Sequence, residues 1–148
     1  MDDPYYENKK EAAHRIYNAE PLIQSPFFKE GVVLSSEGFQ HLQYSAHRER
    51  SKEEQMERFT LLPLALHILK KATTLQGYRK RWVVPAYAAG GRRGVVPREL
   101  VQWWGFVALF VEQDIKMRIV VRKVGDGNLH FWSLMLYSKQ KRQGRFTE

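Results

Sequence analysis

The chain has 148 residues, a formal net charge of +8 and no cysteine, and 43% of its residues are hydrophobic. This length and apolar content fit one folded domain and argue against disorder over most of the chain. The lack of cysteine excludes disulfides, cysteine-based zinc sites and thiol nucleophiles. No apolar run approaches the roughly 20 residues of a bilayer-spanning helix, and no signal-peptide pattern opens the sequence. We therefore expect a cytoplasmic protein with no membrane partner.

The positive charge is unevenly distributed. Residues 78–98 contain basic side chains and no acidic one, residues 116–148 are also strongly basic, and the first twenty residues are net acidic. Such polarised charge favours a polyanionic partner, above all nucleic acid, although a role in solubility gives the same composition.

The first third of the chain is predicted to hold a lead segment followed by a short strand and a helix. Residues 1–31 are polar, with one weak helix over 11–18 that Pro21 ends. Residues 32–34 predict a short strand, and Ser35 or Ser36 predicts the N-cap of a helix. Phe39, Leu42 and Ala46 then follow with helical spacing.

The next helix is marked by a capping box, in which Ser51 and Glu54 satisfy each other's backbone N–H groups. The apolar residues of this helix continue with helical period to Leu69. Pro63 is expected to kink the helix or to start a second one, and Gly77 is expected to end it. Residues 78–97 are rich in glycine, proline and arginine and predict a flexible cationic loop. This loop contains Arg92 and Arg93 but lacks the ending of a phosphate-binding P-loop.

Three strands are predicted after this loop, over 101–111, 115–124 and 129–137, with Asp126-Gly127 as a two-residue hairpin turn and 139–148 as a basic tail. The expected fold is α+β, with helices packed on one face of a roughly four-stranded antiparallel sheet. The expected domain spans 32–138.

The hairpin turn sets the faces of its two strands. A two-residue turn pairs Gly125 with Asn128 and so sets the register of the whole hairpin, and residues that pair across the strands share a face. In this register Trp132 points to the helices and His130 to the core side. The opposite face carries Arg118, Val120, Arg122, Phe131, Ser133 and Met135. Arginine forks bind phosphate and an exposed ring stacks on a base, so this face predicts RNA binding. The alternative is an outer strand with solvated arginines, and a one-residue slip would reverse the faces.

One histidine is a candidate for acid–base chemistry. His41, Ser45 and Arg48 lie at i, i+4 and i+7 of the predicted helix, and a histidine beside arginine suits proton transfer near neutral pH. A surface histidine without a role is the alternative, and His47 and Arg50 compete for the same position. Glu37 and His41 have metal-ligand spacing but no second pair, so neither a metal nor another cofactor is expected.

Three short segments carry a resemblance: Gly-Phe-Gln-His-Leu (38–42), Arg-Phe-Thr-Leu-Leu-Pro-Leu-Ala (58–65) and His-Phe-Trp-Ser (130–133). With the element order, they resemble phage- and mobile-element-associated members of the barnase–EndoU–colicin–RelE superfamily over about 32–137. Many members cleave RNA without metal. The resemblance implies catalytic roles for His41, Arg58 and Ser133, with Arg118 and Arg122 holding phosphate; a clear second histidine on the active face is missing.

Three functions follow from these patterns. The first is a metal-independent endoribonuclease, such as a toxin or effector of a mobile element, with RNA as substrate and an inhibitor protein as a further candidate partner. The second is a non-catalytic nucleic-acid-binding module. The third is a protein-interaction domain in which Trp103 and Trp104 form an interface. Beyond the catalytic trio, the predicted nucleic-acid-binding residues are Arg48, Arg50, Arg92, Arg93, Arg118, Arg122 and Phe131.

Overall fold

The computed structural model describes residues 4–45, 48–84, 98–110 and 114–137. The α+β class is confirmed. The helices are α1 (Pro4–Ala19), α2 (Ser36–Gln43) and α3 (Lys52–Lys71). The strands are β1 (Leu22–Ser25), β2 (Glu30–Val33), β3 (Gly77–Val83), β4 (Glu99–Phe110), β5 (Ile115–Val124) and β6 (Leu129–Tyr137).

The strands form one six-stranded sheet in the order β1-β2-β6-β5-β4-β3. All neighbours pair antiparallel except β2 and β6, which are parallel. The expectation of about four antiparallel strands was therefore too low, because it missed the two edge strands. β1 is only four residues long and lies between two prolines, whereas most side chains of β3 are exposed on both faces, so neither shows an apolar alternation.

The first part of the predicted cationic loop is thus strand β3. Arg92, Arg93 and the basic tail 139–148 lie outside the described residues, as does His47.

The helices and one face of the sheet, called the inner face here, enclose a single hydrophobic core. The sheet contributes Phe106, Ile119 and Leu134 to this core, and each of these residues is at most 1% exposed. α1 and β1 also contribute to it, since Ala13 and Ile23 are 0% exposed. α1 and β1 therefore pack against the same core as the later elements.

The two helix starts form as predicted. The Ser35 hydroxyl caps α2 by accepting from the Gly38 N–H, and Ser51 and Glu54 form the complete capping box of α3. α3 then continues through Pro63 as one helix of 20 residues, so of the two expected outcomes, a kink or the start of a second helix, the second does not occur. Leu62 and Leu66, buried on either side of the proline, anchor both halves to the core and offset the lost backbone hydrogen bond.

Candidate nucleic-acid interface

A β-bulge in the hairpin of β5 and β6 determines which side chains face away from the core. Val120 pairs with Ser133 but Val121 pairs with Phe131, which leaves Trp132 as the extra residue of the bulge. Phe131 consequently points into the core at 0% exposure. The prediction that Phe131 lies on the arginine face and Trp132 on the helix side was wrong, because a bulge shifts the register by one residue.

The turn itself also differs from the prediction. The strands are joined by the four residues Gly125–Asn128, and Gly125 has a positive φ of 54°, where the two-residue turn required positive φ at Asp126 and Gly127. His130 therefore pairs with Arg122, on the outer face, and not on the core side as predicted.

A continuous row of rings and cations crosses the outer face, the face turned away from the helices. Its five members come from five elements and are here called the ring–cation row: Arg79 (β3), Trp103 (β4), Arg122 (β5), Trp132 (β6) and His41 (α2). Arg79 and Arg122 both pair with Trp103 in the sheet register. Their guanidinium carbons lie 4.6 and 5.9 Å from the Trp103 ring centroid.

The second indole continues the row. The Arg122 guanidinium carbon lies 4.2 Å from the ring centroid of Trp132, and the imidazole of His41 lies at a centroid distance of 4.2 Å from the same indole. These distances allow cation–π attraction. Four row members are half-buried and Arg79 is exposed.

α2 reaches the row because β2 is short. β2 pairs with β6 at two positions only, so α2 packs along the remaining edge of β6. A Cβ at Gly38 would lie 2.2 Å from the Phe131 carbonyl oxygen, which means that only glycine permits this approach. The close contact brings His41, one turn later, onto Trp132.

The electrostatic surroundings favour a neutral imidazole. Burial first, and then the positive charges of Arg50 and Arg122, lower the pKa of His41 below its ordinary 6.5, against a smaller opposing effect of Glu37. Arg50 also donates from Nε to the His41 carbonyl oxygen at 3.1 Å. At neutral pH His41 is therefore available as a proton acceptor.

Two half-buried arginines, Arg50 and Arg122, lie close enough to His41 to lower its pKa, and a third, Arg58, lies near Arg50. Burial, followed by the charge of Arg58, lowers the pKa of Arg50 to about 10, and burial also lowers the pKa of Arg58 and of Arg122. None of the three forms an ion pair with a carboxylate of the described residues at a distance of 4.0 Å or less.

A buried amide holds Arg50 in place. Gln55, at 1% exposure, donates from Nε2 to the Arg50 carbonyl oxygen at 2.8 Å, and its Oε1 accepts a hydrogen bond from the Tyr6 hydroxyl. The Arg50 N–H also donates to the Gln43 carbonyl at 2.8 Å. Sequence reasoning missed this support, because a glutamine on an amphipathic helix carries no sign that it will be buried.

The structure brings some of the predicted site residues together and separates others. His41, Arg50 and Arg122 are neighbours. Arg58 adjoins Arg50. Ser133 lies on the outer face opposite Val120 and makes no hydrogen bond to His41 or Arg58 within the described residues.

The predicted stripe of His41, Ser45 and Arg48 does not exist as a helical face, because α2 ends at Gln43. Ser45 and Arg48 instead form a turn in which the Ser45 hydroxyl donates to the Arg48 carbonyl, and the Arg48 guanidinium pairs with Glu54.

Arg118 lies beside the row on the outer face. Its guanidinium covers two glycines. A Cβ at Gly105 would lie 2.8 Å from the Arg118 Nε, and a Cβ at Gly77 would lie 3.3 Å from its Nη2. The sequence pointed to Arg118 and Arg122 and, as part of a protein interface only, to Trp103, but it did not point to Arg79 or Trp132 as site residues. The alternation of Arg79 and Arg81 in β3 was the available signal for Arg79.

No protein-family model, curated protein or solved structure matches the chain. Within the described residues there is no group of three or more histidine and acidic side chains placed to hold a metal ion. In the same part of the chain, no helix is long and apolar enough to cross a membrane.

Proposed function

We propose that the outer face of the sheet binds single-stranded RNA. The observation that carries this proposal is the ring–cation row. Indole faces stack on unpaired bases of any sequence, and guanidinium groups bind phosphate through paired N–H donors. A row in which each indole contacts a cation offers both kinds of contact to one strand.

The need for an unstacked base favours a single strand over a duplex, and the positive net charge favours a nucleic acid of either kind. Stacking on Trp103 or Trp132 requires a base that is free of its own neighbours, as in loops and single strands. The net charge of +8 supplies the long-range attraction to a phosphate backbone.

Direct titration tests this proposal. A labelled single-stranded RNA and its duplex are titrated with the protein at salt concentrations between about 50 and 200 mM, a range over which phosphate contacts lose affinity steeply. We expect tighter binding of the single strand and a steep fall with salt. Absence of binding at low salt, or equal affinity for the duplex, would reject the proposal.

Cleavage of the bound RNA is a second candidate function, supported by the neutral His41 between two guanidinium groups. In this reaction His41 takes the proton of a ribose 2′-hydroxyl, whose oxygen attacks the adjacent phosphorus. The bond from phosphorus to the 5′-oxygen breaks, that oxygen receives a proton from water, and a 2′,3′-cyclic phosphate remains. Arg50 and Arg122 would stabilise the charge on the phosphoryl oxygens. Arg58 and Ser133 enter only through the superfamily resemblance.

The test is incubation of RNA with the protein in EDTA, beside RNA carrying a single 2′-deoxy nucleotide at the cleaved position. We expect cleavage by the wild type, none at the deoxy position, and loss of activity in His41→Ala but not in Arg15→Gln, an exposed position of α1. Intact RNA at high protein concentration would leave binding as the function. Such an endoribonuclease would fit a toxin or effector of a mobile element, held in check by an inhibitor protein.

A further inference from the structure

The corner between α2 and α3 holds two half-buried arginines, Arg50 and Arg58, that form no ion pair with a carboxylate of the described residues; Glu54 and, for Arg58, Glu57 offset their charge only from a longer distance. We define the α2–α3 corner as Arg50, Arg58 and His41. Half-buried cations lose hydration and are retained at a cost unless a partner restores it. Within the described part of the chain, the nearby Glu54 carboxylate pairs with the exposed Arg48 instead.

The donors of the corner are held in position before any ligand arrives. The Arg50 side chain is fixed by its Nε bond to the His41 carbonyl at 3.1 Å, and its terminal nitrogens make no hydrogen bond to the described residues. Arg58 follows the anchoring Gln55 by one turn of α3. Its Nη1 donates weakly to the Glu54 carbonyl at 3.4 Å, and its buried Nε has no hydrogen-bond partner among the residues that the structure describes.

This arrangement selects a tetrahedral anion. One carboxylate has two oxygens in a plane and satisfies a single guanidinium fork. Two guanidinium groups, that of Arg50 in the loop before α3 and that of Arg58 on α3, with the His41 imidazole beside the first, match an anion with three or four oxygens. Phosphate is that anion, and arginine is the side chain best shaped to bind it.

We propose that the α2–α3 corner is a phosphate-binding subsite that receives a phosphate group next to a base stacked on Trp132. The link is His41, which belongs to the corner and contacts the Trp132 ring at 4.2 Å. That the phosphate comes from RNA rests on the function proposed above. Two sources share this chemistry: a terminal phosphate monoester and an internal phosphodiester.

Inorganic phosphate probes the corner without RNA. Thermal unfolding is followed in phosphate and in chloride at equal ionic strength, because a ligand that binds only the folded state raises the unfolding temperature. We expect phosphate to stabilise the wild type and Arg15→Gln alike, and to lose this effect in the double variant Arg50→Gln, Arg58→Gln. If that variant does not fold, Arg50→Lys with Arg58→Lys keeps the charge and loses the fork, and a reduced phosphate effect is expected.

Two results would overturn the subsite. One is the absence of phosphate stabilisation in the wild type. The other is phosphate stabilisation of the double variants that is as large as that of the wild type, which would place the anion elsewhere.

RNA of one sequence, with a 5′-phosphate, a 3′-phosphate or neither, then identifies the source. The double variant should lose about 10- to 100-fold in affinity, the equivalent of one or two charge-assisted hydrogen bonds, for the RNA whose phosphate enters the corner. Equal losses for all three RNAs assign an internal phosphodiester. If the wild type binds inorganic phosphate but no RNA, the subsite stands and the RNA proposal fails. If the double variant binds all three RNAs as tightly as the wild type, the subsite fails and the RNA proposal stands.

Discussion

The two faces of the central strands come from the same alternating sequence and obey different physical demands. On the inner face, Phe106, Ile119 and Leu134 are almost completely buried and contact other apolar side chains. On the outer face, the same strands present Trp103 and Arg122 side by side. Hydrophobic burial explains the inner face completely. It does not explain half-buried guanidinium groups, which suggests that the outer face is kept for a ligand.

The largest effect on stability is expected on the inner face. Phe131→Ala removes a ring that is 0% exposed and should lower the free energy of unfolding by about 3–5 kcal/mol. Denaturant unfolding measures it, with Ser133→Ala, its half-buried outer-face neighbour, as the control that should cost much less. A mild Phe131→Ala would mean that the bulge is absent and that Phe131 lies on the outer face.

Substitutions on the outer face are expected to change the affinity for RNA and not the stability of the fold. Trp103→Ala and Trp132→Ala each remove a stacking surface, worth about 1–3 kcal/mol of RNA binding per base. Trp82→Ala is the matched control, since Trp82 is 61% exposed and pairs with Leu100 in the register of the inner face. Equal losses in all three variants would remove the distinction between the faces.

Removal of an arginine from the ring–cation row is expected to weaken the salt dependence of RNA affinity. Arg79→Gln and Arg122→Gln each delete one phosphate contact, so the slope of log affinity against log salt should fall by about 1 in magnitude for each. Lys71→Gln, an exposed position at the end of α3, should leave the slope unchanged. An unchanged slope in both arginine variants would show that the row does not touch the RNA backbone.

The smallest effect concerns pH. The pKa of His41 is lowered from 6.5 in the folded state, so the unfolded chain binds the proton more readily. The stability from neutral His41 is complete above pH 6.5 and is lost as the pH falls through the folded-state pKa. The loss should be small, because solvent screens this half-buried group, and it should vanish in His41→Gln. An NMR titration midpoint above 6.5 would contradict the assignment.

Local signals predicted part of this molecule well. The bounds of β5 and β6 and the capping box at Ser51 follow from alternation and from side chains that act within four residues. The β-bulge has no such local signal, and it exchanged Phe131 with Trp132 between the faces. β3 was missed because most of its side chains are exposed on both faces, as an edge strand allows, and it therefore carries no buried apolar period.

The candidate site was predicted only in part, because local sequence signals identify its residues but not their meeting in space. His41, Arg50 and Arg122 could be proposed from residue type and position. Their meeting depends on the close approach of α2 to β6 at Gly38 and on the buried Gln55. Both are tertiary features that depend on residues distant in sequence.

The four tryptophans of the chain provide the most direct test of the central claim. Their indole Nε1–H resonances are followed in one NMR spectrum while single-stranded RNA is added. We predict that Trp103 and Trp132 shift, whereas Trp104, which packs on Phe28 on the inner face, and Trp82 do not. Shifts confined to Trp104 and Trp82, or no shift at saturating RNA, would contradict binding at the ring–cation row.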